Sequence, residues 1–378
     1  MAETAVASRQ GKTRRARTKR RGKIDYTLFI VILILLVFGL VMVYSTSYYT
    51  ANLKYDSPAY WLKRQTVFAG IGIMGMLLIS RFDYHWWRNK SWILFLIVHL
   101  MLFYVLLFGE VINGAKRWIY IGPLSIQPSE IAKLSLILSF ARLLDINANR
   151  IGKVKNMIFT CLWILPVIAL VGIENFSTAI ILVGIAGVML FVAAPRLKPI
   201  LVAVAVAGVM VVILFSLKGY RGERFSTWLD PTSSDKGYQT VQSLYAIGSG
   251  GLTGKGLGQS LQKLGFIPEA HNDMIFSIVC EELGFIGAIG VIALFVVLLF
   301  RLYRIVVNAA DLYGALIVVG VLAHIGLQVL VNVAVVTNTI PNTGVPLPFI
   351  SYGGTSVCFL LAELGIVLSV ARTVQREK

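Results

Sequence analysis

Mostly apolar stretches of helix length recur ten times along the chain, at about 25–44, 62–79, 92–108, 127–144, 155–172, 177–194, 200–217, 273–300, 312–335 and 351–370. An α-helix crosses the ~30 Å of bilayer hydrocarbon in about 20 such residues, so each stretch is long enough to span a membrane. The connections between them are uneven. Most are short, but 218–270 is long, and 109–126 and 336–350 concentrate Gly, Pro, Trp and amide residues. Long connections in compact proteins usually carry function. The pattern predicts an all-α polytopic membrane protein of about ten transmembrane helices, with one large loop between helices seven and eight.

Composition sharpens this picture. Of 378 residues, 57% are apolar and only 14% charged. Ordinary soluble domains run at roughly 45–50% and about 25%, so a soluble domain of any class is excluded. The net charge of +17 is concentrated at one end, where residues 1–24 hold nine Lys/Arg against Glu3 alone. That arm has no interleaved aromatics and runs directly into an apolar span. It therefore reads as a disordered cytoplasmic tail held near anionic membrane lipid, with no nucleic-acid partner. It is not a signal peptide, because the apolar stretch after it is long and no small-residue cleavage site follows cleanly. Residues 25–372 form the ten-helix domain, and 373–378 a second short tail. With both termini cytoplasmic, 23 Lys/Arg fall inside and 11 outside, as the positive-inside rule requires. The loops 109–126, 218–270 and 336–350 then lie on the outer face. Cys161, Cys280 and Cys358 all lie within spans. Their odd number argues against a disulfide framework, and no Cys/His spacing suggests zinc.

An ionisable group at membrane depth costs roughly 2.5–3.5 kcal/mol on insertion scales, so each one calls for a reason. Glu130 and Lys133 share one side of span four at a three-residue step, where opposite charges can pair. They serve either as a packing salt bridge or as the wall of a polar cavity. Just upstream, Pro128 suits a first helical turn and Ser129 suits its cap. Lys116 and Arg117 beside Trp118 have the character of an anion site at the membrane surface, or of snorkelling cations. A second cluster, Glu269, His271 and Asp273, crowds the start of span eight, where Asn272 and Asp273 are also suited to capping the helix. Carboxylates at a wet–dry boundary are where general bases arise. Asp273 and Glu281 stand about 80° and ~12 Å apart on a helix; they can line one pocket but cannot act on one atom. The Gly-rich run 248–258 lacks the Ser/Thr that follows a phosphate-loop lysine, since Gly256 follows Lys255. It reads as a tight, flexible loop. Pro341, Pro346 and Pro348 stop a helix and free backbone groups near membrane depth, which need protein or water partners.

Together the segments Asn113–Ile119, Gln127–Lys133, Gly237–Ser243, Ile247–Leu252, Pro268–Phe276, Glu281–Gly284 and Pro346–Gly354 resemble the SEDS family (shape, elongation, division, sporulation) of peptidoglycan glycosyltransferases. The likeness covers nearly the whole chain after residue 24. The stretch Gln259–Leu264 looks more like the FtsW/SpoVE branch than the RodA branch, and Asn272 stands where many relatives carry Thr or Ser. The resemblance implies a multi-pass protein of the bacterial cytoplasmic membrane that polymerises lipid II, the undecaprenyl-pyrophosphate disaccharide-pentapeptide, on the outer membrane face. It implies Asp273 as the catalytic general base. It places Lys116, Arg117, Trp118, Gln127, Ser129, Glu130, Lys133, Glu269, His271 and Ser351 along the substrate, and assigns no residue to a metal. No cofactor is fixed by it; a divalent cation, Mg or Mn, is the one candidate. Expected partners are a class B penicillin-binding protein and other divisome or elongation proteins. The rival classes are a transporter of lipid II or ions and a recruiting scaffold. Against the transporter, no matched pair of broken spans is visible in the two halves.

Overall fold

The computed structural model describes residues 25–112, 115–122, 124–194, 226–232 and 237–374, together with 201, 205 and 208. The basic tail, nearly all of the expected span at 200–217, much of 218–236 and the last four residues lie outside the described residues. The chain is a helical bundle with two short β-ribbons. In order it forms α1 (Tyr26–Tyr55), α2 (Tyr60–Ile79), α3 (His85–Phe108), β1 (Val111–Ile112), β2 (Ala115–Lys116), β3 (Ile119–Ile121) and β4 (Leu124–Ile126). There follow α4 (Pro128–Ile146), α5 (Val154–Leu162), α6 (Leu165–Glu174), α7 (Phe176–Ala193), α8 (Tyr238–Gly250), α9 (Ile275–Val307), α10 (Leu312–Val336) and α11 (Thr355–Thr373).

Seven of these helices are long and apolar enough to cross a membrane, and the α5–α6 pair, bent by 49°, makes up to eight. The count of ten is thus not reached among the described residues. The expected span at 127–144 is the helix α4, which is long enough but carries Glu130, Lys133, Arg142 and Asp145. It sits at the centre of the bundle against α3, α7, α10 and α11, where protein rather than lipid faces its charges. The expected span at 155–172 is broken because Pro166, at the start of α6, has no N–H to continue the ladder. A second break falls in the other half, inside α9 at Gly284 (φ 67°, ψ −166°). The two breaks fall in the fifth and eighth of the expected spans, which are not corresponding positions of the two halves.

Other boundaries moved outward. α1 begins where Asp25 accepts a hydrogen bond from the Leu28 amide at 3.1 Å, and Arg301 of α9 grips the same carboxylate at 2.6 Å. It runs on to Tyr55, well past the apolar stretch, because Ser45, Thr46 and Ser47 are buried rather than exposed to lipid. Thirty residues at 1.5 Å each give about 45 Å, longer than the hydrocarbon needs. Midway, Gly39 lets α1 touch the 349–350 backbone: a Cβ there would lie 2.2 Å from the Phe349 carbonyl oxygen. The region 109–126 holds two antiparallel ribbons, and the expected 218–270 loop holds the helix α8.

Candidate active site

The turn after α10 behaves as its prolines predict. Residues 338–354 are non-helical, and amide side chains take up the freed backbone groups. Asn332 donates to the carbonyls of Val345 (2.8 Å) and Asp273 (2.7 Å). Gln328 donates to Pro346 O at 3.0 Å. Gln65 accepts from the Gly353 and Gly354 amides, and Ser351 Oγ accepts from the Leu347 amide at 2.8 Å. The re-entrant segment is thus lined by protein, which membrane depth demands.

This segment joins two parts of the candidate site. On one side Gly344 lies against Asp273, whose Oδ2 would be 3.5 Å from a Cβ at that position. On the other, Pro346–Phe349 and Ser351 line a small cavity with Glu130, His324 and Gln328. Glu130 and Lys133 pair at 2.9 Å, and both are buried, at 8% and 2% exposure. His324 Nδ1 and Glu363 meet at 2.7 Å in the same interior. Neither residue was singled out from sequence, although a lone acid or His within an apolar span is the signal that finds them.

Asp273 is half-buried just ahead of α9. It does not cap that helix. The cap is Met274, which makes no side-chain hydrogen bond, so neither Asn272 nor Asp273 serves there. Asn272 instead donates to Glu269 at 2.8 Å, and Glu269 is exposed with its backbone in the left-handed region (φ 49°). His271 turns inward, stacks on Trp61 (centroids 5.1 Å apart) and meets Tyr352 edge-on. Burial lowers its pKa to about 4, a nearby Glu269 opposing and Lys54 assisting. His271 is therefore neutral in the fold while its unfolded form takes a proton below about pH 6.5. The unfolded state binds more protons between roughly pH 6.5 and 4, so stability falls as the pH drops through that window. At about 1.4 kcal/mol per pH unit the full effect is of order 3 kcal/mol. His271→Phe keeps the stack and removes the titration. The variant's thermal unfolding midpoint in detergent is expected to lose much of its dependence on pH in that window; an unchanged slope would remove His271 as its source.

A second, small cleft is lined by Lys116, Arg117, Pro128, Ser129, Glu174 and Asn175 among others. The Lys116 amide donates to Glu174 Oε2 at 2.8 Å and Arg117 Nε to the Glu174 carbonyl at 3.0 Å. The Lys116 ammonium reaches the Leu106 and Leu107 carbonyls, each at 3.2 Å. A carboxylate thus shares the cationic patch that the sequence offers as an anion site. Ser129 does not cap α4. The cap residue is Gln127, without a side-chain bond, and Pro128 takes the first turn. Ser129 Oγ is buried with no hydrogen-bond partner. Trp118 is half-buried beside the patch.

Glu281 reaches into the Gly-rich run and the segment that follows it. It is paired with Lys255 at 2.7 Å and takes further hydrogen bonds from Ser260 and the Leu261 amide. The run is tight, as expected, but pinned rather than loose. The three cysteines are free thiols. Among the described residues no group of three or more His, Cys, Asp or Glu is arranged to hold a metal ion, and no step below is routed through one.

A multi-pass helical membrane protein with a polar interior and a half-buried carboxylate at a helix entrance is the class that fold and site define. Residues 26–376 match the cell cycle protein family that groups FtsW, RodA and SpoVE, and the chain belongs to this family. It is 40% identical to stage V sporulation protein E of Bacillus subtilis (strain 168), over 94% of this chain and 99% of that one. It is 37% identical to a probable peptidoglycan glycosyltransferase FtsW of Geobacter sp. (strain M18), over 92% and 96%. Among solved structures, one of a peptidoglycan synthase complex that coordinates polymerization and crosslinking matches with TM-score 0.79 at 30% identity, covering 94% of this chain and 99% of that one. The rod shape determining protein RodA of Thermus thermophilus matches with TM-score 0.70 at 28% identity, covering 94% and 98%.

Proposed function

We propose that this protein is a peptidoglycan glycosyltransferase that polymerises lipid II at the outer face of the cytoplasmic membrane, in the service of division or sporulation. The observation that carries the reading is the Asp273 carboxylate, half-buried, set against the re-entrant loop at Gly344, and fixed through its own backbone by Asn332. In this reaction Asp273 accepts the proton of a GlcNAc 4-hydroxyl as that oxygen attacks MurNAc C1 of a second lipid II. The glycosidic bond forms as the bond to undecaprenyl pyrophosphate breaks. Lys116 and Arg117 offset the charge on the departing pyrophosphate, with Glu174 holding their backbone and guanidinium in register. Gln127, Ser129, Glu130, Lys133, Glu269, His271 and Ser351 line the path of the substrate. Both termini lie in the cytoplasm, and a class B penicillin-binding protein supplies cross-linking. Cysteines placed in 238–270 are then expected to react with an impermeant thiol reagent outside intact cells, and cysteines in 147–153 not to; the reverse labelling would overturn the orientation.

Translocation of lipid II is the second reading, and the breaks at Pro166 and Gly284 favour it, since broken helices mark transporter sites. At Gly284, however, the carbonyls of Glu281 and Glu282 and the amides of Phe285 and Ile286 are taken up by the Gly-rich loop. The test is to supply purified protein with lipid II. A polymerase makes glycan chains readable on a gel; a transporter makes none and moves labelled lipid between the leaflets of a vesicle.

A further inference from the structure

In an unbroken α9 the amides of Phe285 and Ile286 would donate to the carbonyls of Glu281 and Glu282. Here both bonds are exchanged for four bonds to the Gly-rich loop. Lys255 N and Gly256 N donate to Glu281 O (3.0 Å) and Glu282 O (2.9 Å), while Phe285 N and Ile286 N donate to Gly251 O (2.9 Å) and Leu252 O (3.1 Å). The loop is spliced into the helix ladder. Only glycines allow it. A Cβ on Gly284, at φ 67°, would lie 2.3 Å from Gly254 N, and one on Gly254, at φ 78°, 2.2 Å from Glu282 O.

Two ion pairs flank the splice. Lys255 meets Glu281, and Lys263 meets Glu282 at 2.6 Å with both side chains at 0% exposure. Ser45 of α1 donates to Glu282 at 2.7 Å and accepts from Lys263 at 3.0 Å, and the Tyr48 ring lies 5.2 Å from the Lys263 ammonium. A buried pair with its remaining hydrogen bonds satisfied is held in one geometry, and removing one partner strands a charge. The chain leaving Lys263 leads directly to Asp273 and then into the spliced turns of α9. At the far edge, Asn332 holds Asp273 O and the Tyr352 amide holds His271 O at 2.8 Å.

We infer that Lys263, Glu282 and the Gly254–Gly284 crossing are positioning residues, which fasten 251–274 and the first turns of α9 into one rigid block that sets where the Asp273 carboxylate stands. This rests on the reading of Asp273 as the general base. Displacing a reacting group by about 1 Å can cost 10²-fold in rate, so kcat for chain growth is expected to fall at least about tenfold in Lys263→Met and in Gly284→Ala. KM for lipid II is expected to stay within about twofold, because no group of the block that faces substrate is altered. Lys255→Met is the milder variant, since Glu281 keeps Ser260 and the Leu261 amide, and a smaller fall in kcat is expected. Hydrogen exchange on the full chain supplies a readout independent of activity. The amides of Lys255, Gly256, Phe285 and Ile286 are expected to exchange slowly in the wild type and faster in Gly284→Ala. Wild-type kcat in a variant whose loop amides have opened would overturn the inference, as would a raised KM with kcat intact. Chains formed normally by Asp273→Asn would instead overturn the base assignment and leave the exchange result standing, so the two failures are separable.

Discussion

Asp273→Asn is expected to abolish glycan synthesis from lipid II while leaving the protein folded. General-base catalysis contributes typically 10²–10⁴-fold, and an amide cannot accept the proton that a carboxylate takes. The local structure makes the substitution clean. The cap of α9 falls on Met274 without a side-chain bond, so no helix end is disturbed. The anchor from Asn332 goes to the backbone carbonyl of residue 273, which the change does not touch. The comparison is run with purified proteins, the class B partner supplied where needed and peptide cross-linking blocked. Equal thermal midpoints and a rate lower by 10² or more are expected; chains made equally well by both would sink Asp273 as the base. In the same assay Arg117→Ala is expected to slow lipid II use, and Arg117→Lys to recover part, since lysine restores the charge without the planar fork. Full activity of Arg117→Ala would reduce that patch to a structural contact with Glu174.

What the sequence revealed, and what it hid, follows from the range of the interactions. The apolar stretches were legible because a membrane span is a local property of about 20 residues. The Glu130–Lys133 pair was legible for the same reason, both charges lying on one turn of α4. Pro341, Pro346 and Pro348 announced freed backbone groups, though not that Asn332, Gln328 and Gln65 would meet them from other helices. The cations of the Gly-rich loop were hidden most completely. Lys255 and Lys263 count as surface charges by their neighbours, yet their acids lie 26 and 19 residues away along the chain. Capping was misplaced at both sites, at Ser129 and at Asn272–Asp273, because a good capping residue does not cap unless the first turn begins one residue after it. The helix α8 and the β-ribbons lie in segments whose Gly and polar content reads as loop, and packing against α9 and closure of a short hairpin decided them instead.

Breaking the Glu130–Lys133 pair from one side is expected to cost about 3–5 kcal/mol of stability, the usual result of stranding a buried charge. Lys133→Met and Glu130→Ala each do this, and neither says whether the pair acts on substrate, since an unstable protein is also a slow one. The double variant Glu130→Gln/Lys133→Met separates the roles. It strands no charge and keeps similar volumes, so its unfolding midpoint in detergent is expected to return close to that of the wild type. Its chemistry is expected to stay slow. Glu130 shares its cavity with His324, Gln328 and Ser351, next to the loop that carries Gly344 against Asp273. A substrate reaching the base along that loop meets a wall stripped of its carboxylate and ammonium, and loses contacts worth about 1.5–3 kcal/mol per charged hydrogen bond. That predicts a loss of roughly tenfold to a hundredfold in kcat/KM at about 1.4 kcal/mol per decade. Should the double variant be stable and polymerise at the wild-type rate, the pair serves packing alone, and Glu130 and Lys133 leave the site.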